Sequence, residues 1–298
     1  MNDKNINLKQ LYPFERNFLD RNGQQYHYLN EGKGEPVVMV HGNPSWSFYY
    51  RNLVSALRNQ YQCIVPDHIG CGFSDKPDDK DYDYTLKNRI DDLEALLDHL
   101  NITENITLVV HDWGGMIGMG YAARHPERIK RLVILNTGAF HLPKSKPLPL
   151  SLRICRNRLL GTVLVRGFNA FSSIASYVGV KRKPMTKAVR EAYVMPFNSW
   201  KNRISTLRFV QDIPLLKTDR NYKLVSHISD KLEHFQATPT LICWGLKDFV
   251  FDKNFLNVWA RKMPHAEINE FADCGHYILE DASNQVVLLV KQFLEKHK

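Results

Sequence analysis

Apolar and polar positions along this chain follow two different periods. Short apolar runs at 37–40, 62–66, 106–110, 131–135 and 240–244 predict strands, 266–271 reads as a further strand, and 25–29 alternates after the turn at Asn22-Gly23. Between them, 50–57, 88–100, 114–124, 255–262 and 283–296 place apolar residues at helical spacing; in 88–100 these are Ile90, Leu93, Leu96, Leu97 and Leu100. Strands separated by helical stretches predict an α/β fold, with a mainly parallel sheet covered on both faces.

After Gly138 the strand signal fades. Pro143, Pro147 and Pro149 read as a linker, and 150–165, 170–178, 186–195 and 200–210 have helical character. We therefore expect residues 1–138 and 231–298 to form one sheet domain, with a helical cap of residues 139–230 inserted between its halves. At 298 residues and 44% hydrophobic, the chain can bury a full core.

Charge reinforces that boundary. Residues 140–236 hold 18 Lys and Arg against 5 Asp and Glu, whereas the remainder holds 22 against 26. A basic cap suits a protein assembly through an acidic partner, or contact with a membrane surface; a solvated helical surface is the plain alternative. No aromatic-basic pattern accompanies the charge, so no nucleic acid is expected. The polar residues 1–10 give no signal-peptide pattern, and no apolar run approaches 18 residues. Cys63, Cys71, Cys155, Cys243 and Cys274 are odd in number and lack metal spacing, as for reduced thiols of a cytoplasmic protein. No metal and no organic cofactor is called for.

The chemistry concentrates at His111-Asp112-Trp113-Gly114-Gly115. An apolar strand precedes it, and a helix rich in small residues follows. Strand, sharp turn and helix make a nucleophile elbow, here with aspartate at the apex instead of serine. A carboxylate there can attack carbon and become esterified. His276 falls after the last predicted strand and Asp248 after the one before, both beyond strand C-terminal ends. The order nucleophile, acid, histidine is that of the α/β-hydrolases, which makes Asp112, Asp248 and His276 the candidate triad. His41-Gly42-Asn43-Pro44 follows the first central strand, so the backbone N–H groups of Asn43 and Trp113 are candidate oxyanion donors. Their side chains, a neutral amide and an indole N–H, suit a departing anion. His41 reads as a brace for its own loop, and His111 points across the sheet from Asp112.

Through 41–46, 66–77, the elbow, 125–129 and Gly275-His276, the chain resembles the haloalkane dehalogenase family of the α/β-hydrolase superfamily. The resemblance implies Asp112 as nucleophile, His276 as general base, Asp248 as acid, and Asn43 with Trp113 as a halide-holding pair. Some relatives carry the acid one strand earlier; here that stretch is Asn136-Thr137-Gly138, without a carboxylate. Cap segments 168–171, 181–185, 196–200 and 209–214 are similar to the third dehalogenase subfamily, which includes the β-lactone decarboxylases of bacterial olefin biosynthesis.

The leading expectation is a dehalogenase-like hydrolase: Asp112 displaces halide from a small apolar substrate, and water activated by His276 cleaves the ester to alcohol. The alternative is β-lactone decarboxylation by the same triad. Phe140, Phe168, Phe171 and Trp200 are candidate pocket residues beneath the cap. An epoxide hydrolase needs cap tyrosines, for which Tyr177 and Tyr193 are candidates, although Asn43 stands where those enzymes usually carry an aromatic residue. A non-catalytic scaffold is a further alternative, and nothing hydroxylic at position 112 supports a serine esterase.

Overall fold

A computed structural model describes residues 8–298, so residues 1–7 of the polar N-terminal stretch lie outside the described part. Eight strands form one sheet: β1 (Asn17–Arg21), β2 (Gln24–Glu31), β3 (Pro36–Val40), β4 (Gln62–Pro66), β5 (Ile106–Asp112), β6 (Ile129–Thr137), β7 (Thr240–Gly245) and β8 (Glu267–Phe271). Their order is β1-β2-β4-β3-β5-β6-β7-β8. The hairpin β1–β2 and the pair β2–β4 are antiparallel, and every other pairing is parallel.

Side-chain alternation explains why the central strands look continuously apolar. Val38, Val40, Leu108, Val110, Leu132 and Ile134 join the core on one face of the sheet. Val37, Met39, Val109, Val133 and Leu135 join the core on the other. Helices Leu86–His99 and Trp113–Arg124 cover the first face; Arg51–Leu57 and Ser283–Lys296 cover the second. A sheet sandwiched in this way must bury both sides of each central strand.

Between β6 and β7 the described residues contain helices and no strand. The single helix expected over 150–165 is three pieces: Leu150–Arg156, Arg158–Gly161 and a wider-wound turn at Thr162–Gly167. Asn157 causes the first break, because its side chain accepts from the backbone N–H of Leu159 and Leu160 and so starts a new helix. Helices Ala170–Val178, Lys187–Val194 and Ile204–Gln211 follow expectation, and Tyr222–Lys231 is an addition to it.

Candidate active site

The strand-to-helix turn at Asp112 is tight. Asp112 has φ 51° and ψ −125°, a backbone conformation that L residues adopt only when the surroundings enforce it. Two glycines allow the close packing. A Cβ on Gly114 would fall 1.9 Å from the Val40 carbonyl oxygen, and one on Gly42 would fall 2.0 Å from Asp112 Oδ1. Thr137 donates its hydroxyl to the Asp112 carbonyl and secures the turn from β6.

This geometry presents the Asp112 carboxylate to the Asn43 backbone N–H and to the His276 imidazole. Its Oδ1 accepts from the Asn43 backbone N–H at 2.6 Å, and its Oδ2 lies 3.6 Å from His276 Nε2. His276 Nδ1 is 2.8 Å from Asp248 Oδ2. All three side chains are buried. Asp112, His276 and Asp248, which stand far apart in sequence, thus form one connected chain of contacts. The oxygen held by the Asn43 N–H belongs to Asp112 itself, so this donor stands ready for an oxyanion formed on the enzyme's own carboxyl.

Burial pushes the Asp112 carboxyl up to about 6, against the opposing pull of His276 and of the backbone N–H groups of Asn43 and Trp113. For His276, burial alone would lower the pKa, but Asp248 and Asp112 outweigh it and hold the imidazole above its ordinary value. Each charge of this pair is sustained by the other.

The anion-holding pair is asymmetric. The Asn43 side-chain amide donates to the Thr206 carbonyl at 3.2 Å, which fixes its orientation. The Trp113 indole N–H has no acceptor among the described residues, and both side chains line the cavity above Asp112. That cavity has a volume of about 350 Å³. Its walls are Phe140, Leu152, Phe171, Val178, Val210 and Phe251, among others of the same character. The triad therefore forms a polar floor beneath an apolar vault.

Phe140 and Phe171 line the cavity as expected, but Phe168 and Trp200 do not. Those two side chains are 75% and 50% exposed on the outside of the cap, Phe168 at the bend that ends its first helical stretch and Trp200 just before the short turn Lys201–Arg203. Tyr177 is likewise exposed, and buried Tyr193 gives its hydroxyl to Glu280 Oε1 at 2.6 Å. No tyrosine lines the cavity among the described residues, so the pair that would protonate an epoxide is missing.

His41 braces its loop as anticipated, accepting at Nε2 from the His68 backbone N–H at 3.1 Å. His111 donates from Nε2 to the His276 carbonyl at 2.9 Å and thereby seats the loop that carries the base. Two residues escaped the sequence reading. Asn136 Nδ2 lies 3.1 Å from Asp248 Oδ2 and also donates to the Gly245 carbonyl, locking the acid in place. Asp281 accepts from the backbone N–H groups of Gly275, Lys181 and Arg182, tying the cap to the His276 loop. Both act across long sequence separations, and only the missing carboxylate at 136 hinted at either.

Comparison with known proteins agrees with this architecture. Residues 35–283 match the alpha/beta hydrolase fold family. A cis-3-alkyl-4-alkyloxetan-2-one decarboxylase of Shewanella oneidensis is 78% identical, over 96% of this chain and 90% of that one. Haloalkane dehalogenase 2 of Mycobacterium bovis is 28% identical, over 94% of this chain and 95% of its own. The solved haloalkane dehalogenase DatA of Agrobacterium tumefaciens shares the fold, with a TM-score of 0.85 and 23% identity over 95% and 97% of the two chains. This chain is thus an enzyme of the α/β-hydrolase family, of the haloalkane dehalogenase group that also includes β-lactone decarboxylases.

Proposed function

We propose that the enzyme decarboxylates cis-3,4-dialkyl β-lactones to alkenes, the second of the two chemistries its triad suggested. The observation that carries this reading is the 78% identity, spread over nearly the whole chain, with a decarboxylase of such oxetanones. The site is suited to the task. A dialkyl lactone has one small polar ring and two apolar arms, which match a polar floor and an apolar vault.

Asp112 Oδ2 attacks ring carbon C4 in line, and the C4–O bond breaks with its electron pair staying on the lactone oxygen. The released group is the substrate's own carboxylate, placed where a halide would depart, within reach of the Trp113 indole N–H and the Asn43 amide. The ester on Asp112 then collapses. The bond from C3 to the carboxyl carbon breaks, its pair forms the C3=C4 double bond, and the C4–Oδ2 pair returns to Asp112. Carbon dioxide and alkene leave, and no water is consumed. Inversion at C4 followed by anti elimination preserves the cis relation of the two alkyl arms. Apolar walls favour this collapse, because a carboxylate without water around it is readily lost as neutral carbon dioxide. His276, held cationic by Asp248, balances the charge on Asp112 as it departs.

Dehalogenation remains the second reading, favoured by the unpartnered Trp113 indole. Incubation in ¹⁸O-water separates the two. Hydrolysis of an Asp112 ester sends water oxygen into that carboxyl over repeated turnovers, whereas decarboxylation leaves it unlabelled. We expect cis-alkene from a cis-dialkyl β-lactone, an unlabelled Asp112 peptide, and little bromide from long 1-bromoalkanes. Abundant bromide with no alkene would overturn the proposal in favour of the dehalogenase.

A further inference from the structure

Outside the site, the cap displays apolar side chains that neither the core nor the cavity uses. Leu159 is 80% exposed, and Leu150, Leu160, Val163 and Phe168 are each more than half exposed. Leu159, Leu160 and Val163 fall on one face of the helical stretch 158–167 at spacings of one, three and four. Phe168 stands at its end, where that stretch meets helix Ala170–Val178 at 71°. The two pieces together have the apolarity of a membrane span, but the bend precludes a straight crossing. This patch is continuous with the cavity, because exposed Ile154 and Ile174 belong both to the surface and to its lining.

Along the segment itself the charge is of one sign, although Asp78 and Asp79 of another segment act on its Arg166. No Asp or Glu occurs between Glu127 and Glu191. Acidic groups of neighbouring segments already hold some of the cations: Asp219 pairs with Arg156, Asp252 with Lys146 and Asp273 with Arg182. Lys144, Arg153 and Arg158 are exposed and make no ion pair among the described residues. An apolar face bordered by free cations is complementary to the surface of an anionic bilayer. It does not suit a second copy of the same face, which would bring like charges together.

We propose that this cap face docks on anionic lipid, with Leu159, Leu160, Val163 and Phe168 in the outer hydrocarbon and Lys144, Arg153 and Arg158 at the headgroups. The mouth edged by Ile154 and Ile174 then opens towards the membrane. The idea builds on the reading of the cavity as a site for long alkyl chains, but its test does not depend on turnover. Purified protein is floated with vesicles of phosphatidylcholine alone and with vesicles containing one third phosphatidylglycerol.

The bound fraction should be about tenfold higher on the anionic vesicles and fall at high salt. Leu159→Glu with Leu160→Glu should abolish flotation, and Arg153→Glu with Arg158→Glu should abolish the preference for anionic lipid. Both variants should keep the wild-type circular dichroism and their activity on a short, soluble lactone. Failure of the wild-type protein to float overturns the proposal, as does a concentration-dependent dimer that the Leu159→Glu, Leu160→Glu variant dissolves. Loss of alkene formation with flotation intact would instead count against the proposed reaction.

Discussion

The sheet core and the helical cap meet at one cavity yet are built on different principles. On the core side, short, directional contacts place the reactive groups: Oδ1 of Asp112 takes the Asn43 N–H and the His276 imidazole takes Asp248, which leaves Oδ2 facing Nε2 at 3.6 Å. On the cap side there are broken helices, apolar walls and an outward surface rich in Leu and Arg. The core therefore decides which bond breaks, and the cap decides which molecule is present when it does. Such a division is one way in which proteins named as a decarboxylase and as dehalogenases can belong to one family.

The contrast is broken most severely at Asp112. Asp112→Asn should lower alkene formation by about 10⁴-fold or more, since no other group can form the ester. Folding should respond in the opposite direction. A carboxyl whose folded pKa is raised contributes stability below its unfolded pKa, and that contribution is lost as pH rises through about 6. At neutral pH the ionised side chain is thus a cost that the amide removes, and the melting temperature should rise by roughly a few degrees. Retained turnover in a sample free of deamidation would end the assignment of nucleophile.

His276→Ala sharpens the comparison by asking what the base is for. If water must cleave the ester, the variant traps it and intact-protein mass rises by the substrate. If the ester collapses unaided, no adduct accumulates, and alkene formation falls by roughly 10²-fold through loss of charge balance. We expect the second pattern.

Most of this core was legible in sequence, because strand period and elbow are local signals. Helix Ser283–Lys296 shows its stripe of Val286, Val290 and Phe293 directly, and β5 is a mostly apolar run rich in β-branched residues, buried up to its reactive end. Strand β1 was not visible: as an edge strand it buries no residue fully, and the polar and apolar residues of Asn17-Phe18-Leu19-Asp20-Arg21 do not follow its alternating burial. Helix Tyr222–Lys231 buries only Val225 and Ile228, too few positions for a clear period. The breaks in the cap and the exposure of Phe168 and Trp200 depend on tertiary packing, which composition does not encode.

Asn136 belongs to the same hidden class, since its partner lies more than a hundred residues away. Asn136→Ala should cost about tenfold in turnover by removing a hydrogen bond to a charged acceptor. It should also shift the pH profile, which a purely structural defect would leave in place.

That profile itself follows from Asp112. Attack requires the carboxylate, so the rate of alkene formation should fall below about pH 6, by close to tenfold per pH unit. On the alkaline side, decarboxylation needs no neutral imidazole, and the raised pKa of His276 favours the cation. A plateau above the acid limb is expected, ending in a fall once His276 loses its proton and with it the charge balance. A hydrolytic cycle would instead gain rate as His276 loses its proton, so pre-steady-state measurement from acid to alkaline pH distinguishes the two.

The smallest effect contrasts two phenylalanines three residues apart. Phe171 lines the cavity and Phe168 is exposed at the preceding bend, so the bend alone separates a specificity residue from a surface one. Phe171→Ala should enlarge the vault and change KM by severalfold, with the sign depending on the length of the alkyl arm. Phe168→Ala should leave kcat and KM on a soluble lactone unchanged and alter stability by no more than about 0.5 kcal/mol. Equal effects of the two substitutions on KM would mean that the cap closes differently around substrate, with Phe168 turning inwards to join the wall.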